Sequence, residues 1–323
     1  MKKLSLTIGM IVLALGVVFS QAKPYVFKVL AAKGVNQIFT KGTWVSVNAG
    51  SSLVSGEKVK VGDGGYIGLI HSSGKTMELK AAGIFNVSDL ESKVIQSKST
   101  FGEKYGDFVA DGMFASNPNA TSKFNQTGSV TRGDNAAIFI YAPKYIKALK
   151  SEPLTLHWNA CGGNQTFTVT LSDFFGTKIH SFKTTTNAAT IDFNKITFNF
   201  DNEMDANTQH SFLLKIESNV DPSYTTSSTT EEQSYTVELL NENKEKEITA
   251  SITQLKSGLD KTSAMDYLVL AMAYEKQGLM TYAVDSYSKA KALAPNVDEF
   301  SIQYENYIKT KLGAKSLNGI KGN

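Results

Sequence analysis

Four histidines, one cysteine and a short acidic run are the residues of this chain best suited to bind a metal or move a proton. His71, His157, His180 and His210 are scattered through strand-like stretches with no ligand spacing between them. Cys161 has no second cysteine to pair with, and with no base beside it in the sequence it reads as a buried, inert thiol. Asp201, Glu203 and Asp205, with Asn202 and Asn207, gather carboxylates beside a strand end. Calcium ligation needs a glycine turn and a closing glutamate at defined spacing, and both are missing, so a solvated loop is expected. No Gly-x-Ser-x-Gly elbow, His-Glu-x-x-His, Cys-x-x-Cys or phosphate-cradling glycine loop occurs. No catalytic residue, metal or cofactor is therefore assigned, and a non-enzymatic protein is expected.

The most complete spacing pattern lies between Ala264 and Val297. It consists of Tyr267, Leu270, Ala271, Tyr274, Gly278, Ala283, Tyr287, Ala290 and Pro295. Small Ala271 and Ala283 let two antiparallel helices approach, and the tyrosines fill the space beside them. Gly278 can take the left-handed conformation that ends a first helix, and Pro295 stops a second. Met265, Leu268 and Met272 lie on the other side of the first helix. They form either a candidate groove for a protein partner or a face packed on a neighbouring helix.

Those nine positions resemble the tetratricopeptide repeat, a helical hairpin of about 34 residues. No second copy precedes them, and a single repeat needs neighbours to bury its faces. Partners are expected upstream, where Ile248, Ile252, Leu255 and Leu259 recur at helical spacing after a solvated charge run over 242–247. A further partner is expected downstream, where Phe300, Tyr304, Tyr307 or Ile308, and Leu312 share a face. The resemblance implies peptide or protein recognition.

The rest of the chain is punctuated for strands. From 25 to about 90, β-type runs are broken by Gly42, Gly50, Gly56, Gly62, Gly64, Gly65, Gly74 and Gly83, with Asp63-Gly64 and Ser73-Gly74 as hairpin turns. The residues Ala49-Gly50-Ser51-Ser52-Leu53, Gly56-Glu57-Lys58-Val59, Gly62-Asp63-Gly64-Gly65-Tyr66-Ile67-Gly68-Leu69 and Gly83-Ile84-Phe85 resemble a FecR-type periplasmic domain. From Pro143 to about Leu240 the sequence predicts seven strands, at 154–158, 167–171, 179–182, 190–193, 196–200, 212–216 and 235–239. Alternating apolar residues on short antiparallel strands, with Trp158 early among them, are similar to an immunoglobulin or fibronectin type III sandwich.

The N-terminus has Lys2 and Lys3 before an apolar run from Leu4 to Phe19, with small Ser20 and Ala22 after it, the parts of a secretory signal peptide. The alternative is a retained anchor. Net charge is +3, of which Lys2 and Lys3 supply two, leaving about +1 after cleavage. Near-neutrality and a single arginine, Arg132, argue against nucleic acid.

The expected organisation is a multidomain chain, mainly β with an α-helical C-terminus. It comprises a signal peptide (1–22), a FecR-like β domain (23–100), a connector with a short helix (101–142), an immunoglobulin-like sandwich (143–241), a tetratricopeptide-like helical domain (242–315) and a tail (316–323). By resemblance it is an exported FecR-domain-containing protein of Bacteroidota type with a tetratricopeptide-like C-terminus. The expected role is protein binding or scaffolding in the cell envelope or periplasm, with no stable membrane span once the signal is cleaved. Partners would be envelope proteins or peptides, or a cell-wall glycan. The alternatives are a periplasmic sensing component acting on a membrane partner, and a carbohydrate- or cell-wall-binding or -active protein.

Overall fold

The computed structural model describes residues 25–96, 138–159, 166–198, 210–221, 224–226 and 234–313. The N-terminal apolar segment, the helix expected near 104–114, Arg132, Cys161, the acidic run 201–207 and the tail lie outside the described residues. What is described is a mixed protein of several β-sheets and five α-helices, four of them gathered at the C-terminal end.

The N-terminal unit contains β1 (Phe27–Lys33), β2 (Asn36–Thr40), β3 (Thr43–Ser46), β4 (Ser52–Leu53), β5 (Lys58–Val61), β6 (Tyr66–His71), β7 (Thr76–Leu79), β8 (Gly83–Asn86) and helix α1 (Val87–Gln96). They make two antiparallel four-stranded sheets, ordered β4-β1-β6-β7 and β3-β2-β5-β8. Phe27, Val29, Leu53, Val59, Ile67 and Leu69 fill the space between them, with Val87, Leu90 and Val94 of α1 against one side. Ser73-Gly74 joins paired strands β6 and β7, whereas Asp63-Gly64 does not make a hairpin: it carries the chain from β5 in one sheet to β6 in the other. The tight hairpin between β2 and β3 turns at Lys41 and Gly42, both at positive φ (49° and 82°), the geometry that matches strand twist. Helix α1 opens at Val87, directly after β8.

Strand β6 is buried along its whole length. Ile67 and Leu69 face the unit's own interior, while Tyr66 and Ile70 on the other side join the apolar interior of the C-terminal helices. An uninterrupted apolar strand is what burial on both faces requires. A bulge in β1 between Val29 and Ala31 changes the register against β6. It turns Ala31 toward the helices and Ala32 toward the N-terminal interior.

The second unit contains β9 (Tyr145–Ala148), β10 (Leu154–His157), β11 (Phe167–Ser172), β12 (Lys178–Thr184), β13 (Ala188–Ile191), β14 (His210–Ser218) and β15 (Tyr235–Leu239). Five strands form a sheet ordered β12-β11-β14-β15-β9, and β10 pairs with β13. All of these pairs are antiparallel except β15 with β9, which run parallel. That edge strand replaces the one expected at 196–200, where the described residues 196–198 form no strand. Strict alternation in β11 and β15 buries Phe167, Val169, Leu171, Tyr235, Val237 and Leu239. Trp158 meets Phe167 edge-on at 5.3 Å.

Helices α2 (Glu242–Ser257), α3 (Ala264–Lys276), α4 (Met280–Leu293) and α5 (Asp298–Asn306) follow, and a wide turn over Tyr307–Lys311 extends the last. Their apolar interior is continuous with that of the second unit.

Candidate functional site

The hairpin of α3 and α4 is built from the residues that the spacing singled out. Ser263 caps α3, its hydroxyl oxygen accepting the Asp266 N–H at 3.0 Å. At the other end Gly278 adopts φ 70°. Its N–H donates to the Glu275 carbonyl, and the Leu279 N–H reaches back to that of Tyr274. This pair of reversed bonds closes the helix and needs a residue free to take a left-handed conformation. Ala271, Ala283 and Ala290 are buried, as are Leu270, Tyr274 and Tyr287, while Tyr267 is half-buried and Pro295 exposed after α4. The Tyr287 hydroxyl donates to Glu275 across the hairpin at 3.2 Å.

Met265, Leu268 and Met272 are covered, at 0%, 0% and 6% exposure. For Met265 the structure puts the chain's own N-terminal sheet where the groove reading put a partner. The Met265 sulfur lies against Gly68 of β6, so close that a β-carbon at that glycine would stand 2.5 Å from it. Tyr66 meets Phe300 of α5 edge-on at 6.0 Å. Three carboxylates fasten this contact. Glu78 accepts the Tyr66 hydroxyl at 2.7 Å and the Met265 N–H at 3.0 Å, and pairs with Lys80 at 2.7 Å. Glu299 accepts the Ala32 N–H at 3.0 Å. Asp266 accepts the Thr76 hydroxyl and, at 2.9 Å, the Asp260 N–H. Burial pushes the Asp266 carboxyl up, despite hydrogen bonds from Thr76, Asp260 and Ser263 that pull the other way. Burial, with Glu78 beside it, drives the Tyr66 phenol far above its ordinary value, so it stays a donor.

The helices grip the second unit through the segment 149–152, between β9 and β10. Glu245 of α2 accepts the N–H groups of Lys150 and Ser151 at 2.8 and 2.9 Å. Tyr282 of α4 accepts the Leu149 N–H at 2.8 Å. Tyr274 of α3 donates to the Glu152 carboxylate at 2.7 Å, and Lys256 of α2 pairs with it at 2.6 Å. Beside this segment, His157 of β10 and Lys289 both contact the Asp285 carboxylate of α4, at 3.2 and 2.6 Å. Burial alone would raise Asp285, but the hydrogen bonds from His157 and Lys289 outweigh it and hold the carboxyl below its usual range.

Glu245 corrects the expectation of a solvated charge run over 242–247: it is only 7% exposed. Its neighbours Glu242 and Lys246 do face solvent, so charge alone did not distinguish it. The other histidines stay apart. His71 bonds Ser73 at 2.7 Å, His180 packs on Phe182, and burial lowers His210. Among the described residues no three His, Cys, Asp or Glu side chains converge as metal ligands, and no helix is long and apolar enough to cross a membrane. Compared with known proteins, the chain matches no family model, no curated protein and no solved structure.

Proposed function

We propose that the chain is a non-catalytic cell-envelope protein that binds or scaffolds other proteins. In this reading it has a FecR-like N-terminal unit, an immunoglobulin- or fibronectin III-like second unit and a tetratricopeptide-type helical end. The observation that carries the reading is the grip of the helices on 149–152. Three helices converge on a short bent segment between two strands. A carboxylate (Glu245) and a phenol (Tyr282) take its backbone N–H groups, and a phenol and a lysine take its acidic side chain. Taking the main-chain and side-chain groups of one short segment together is how recognition domains hold a peptide, and here the recognised segment belongs to the same chain. The helical end thus holds the two β units together and leaves their outer surfaces for partners. The signal-like N-terminus supports an envelope location.

The test is cell fractionation with N-terminal sequencing of the full-length product, combined with photocrosslinking in cells from exposed positions on both β units. A mature chain beginning at residue 21 or 23 in the exported fraction, crosslinked reproducibly to one envelope protein, is the expected result. Retention in the cytoplasm, or depolymerisation of cell-wall material by the purified chain, would overturn the proposal.

A further inference from the structure

The outer face of the sheet β3-β2-β5-β8 carries a set of side chains that neither the interior nor the helices use. Register puts Trp44 opposite Phe39, Phe39 opposite Lys58, and Lys58 opposite Asn86, in one row across four strands. The next row on the same face is Ser46, Gln37, Lys60 and Ile84. Opposed residues in antiparallel strands share a face, so these eight stand together. The alternate residues Ile38, Val59 and Val61 are locked in the interior beneath them.

The Phe39 and Trp44 rings lie 5.3 Å apart at 55° and are half-buried, each covering part of the other. Lys58 and Lys60 are exposed, and among the described residues neither ammonium has an acidic partner. None of the eight is acidic. At the end of the row the Asn86 amide donates to the Asp89 carboxylate at 2.9 Å. Aromatic rings on a solvent-facing sheet cost hydration unless something apolar covers them, and unpaired lysines beside them set the sign of what does.

We propose that this face binds an anionic glycan, a polysaccharide bearing uronic-acid carboxylates. The C–H face of a pyranose stacks on the Trp44–Phe39 pair, the carboxylates meet Lys58 and Lys60, and Gln37 and Ser46 serve hydroxyls. Four strands at the ordinary spacing span about 14 Å, the length of a short oligosaccharide rather than of one sugar. A membrane surface fits less well, because the two rings are half-buried against each other and only Ile84 among the eight adds a further exposed apolar side chain. Nucleic acid fits less well too, since the face has no arginine and few cations for a phosphate backbone. This proposal is independent of the reading given to the helical end.

The test is affinity electrophoresis of the full chain in gels containing alginate, compared with neutral dextran, followed by titration with alginate oligomers. Retardation by alginate and not by dextran is expected. Trp44→Ala should weaken binding about tenfold, the size of one stacking contact. The pair Lys58→Glu with Lys60→Glu should abolish it. Both lysines are exposed, so that double variant carries the test if Trp44→Ala fails to fold. Equal retardation by dextran, no retardation at all, or alginate binding that survives the double charge reversal would overturn the proposal. So would stronger binding to anionic vesicles or to oligo-dT than to alginate.

Discussion

Toward the N-terminal sheets, the contact carboxylates receive mainly hydroxyl and backbone donors; toward the second β unit, most of them face cations. At the first contact Asp266 has Thr76, Ser263 and the Asp260 N–H, Glu299 has the Ala32 N–H, and only Glu78 touches a lysine, at its margin. At the second, Asp285 sits between His157 and Lys289, and Glu152 faces Lys256. Both aspartates are largely buried, and they are displaced in opposite directions: Asp266 upward, Asp285 downward. Burial is common to both, so the matching cation decides the sign. A helical bundle can thus join two β units with one residue type and give each joint a different response to pH.

Glu245 is the exception on the second side, since it holds two backbone N–H groups without a cation, and it is where the largest effect is expected. Glu245→Ala removes two backbone hydrogen bonds to a buried, charged acceptor and should cost about 3 kcal/mol. Chemical denaturation should show the loss, and hydrogen exchange should place it at residues 149–152, with β6 unaffected. Equal loosening of both joints would collapse the distinction between them. The counterpart on the first side is Gly68. Any side chain there must displace the Met265 sulfur, so Gly68→Val should cost about 2 kcal/mol by overpacking. Limited proteolysis should then release the N-terminal unit while the second unit and helices stay protected.

These two residues also mark what was legible in the sequence. The α3–α4 hairpin was, because Gly278 and the small alanines meet local requirements that spacing expresses. The strands β11 and β15 were, because one buried face leaves an alternating pattern. The joints were not. Glu245 and Lys150 are 95 residues apart, and Asp266 and Thr76 are 190 apart, so no local pattern links them. One further signal was present: Tyr66–Ile70 is an unbroken apolar run, which marks a strand covered on both faces and so a second neighbour. The parallel strand β9 gave less, because Tyr145–Ala148 is short and its outward Tyr145 is 75% exposed.

A smaller effect separates the joints by charge. Asp285→Asn removes the carboxylate that His157 and Lys289 share, and should cost about 1 kcal/mol near neutral pH, as a partly buried hydrogen-bonded pair does. The loss should appear in exchange at β10 and vanish in acid. Asp285 is held below its unfolded value, so its contribution is present above about pH 4 and is lost as pH falls through the lower folded value.

The smallest effect runs the other way. Asp266 titrates above its unfolded value, so the charged form is penalised in the folded chain. Its contribution to stability is greatest below about pH 4 and is lost as pH rises through the raised folded value. Asp266→Asn should therefore change stability by no more than about 0.5 kcal/mol at neutral pH. The amide oxygen can keep the Asp260 N–H, and the amide nitrogen can donate to the Thr76 and Ser263 hydroxyls, which accept as readily as they donate. What the substitution should remove is the slope. Exchange at β6 and β7 in the unaltered chain should slow as pH falls from 7 toward 4, after correction for intrinsic chemistry, and this extra protection should be absent in the variant. An unaltered slope in Asp266→Asn would mean that another carboxylate of that joint, Glu78 or Glu299, sets its pH response.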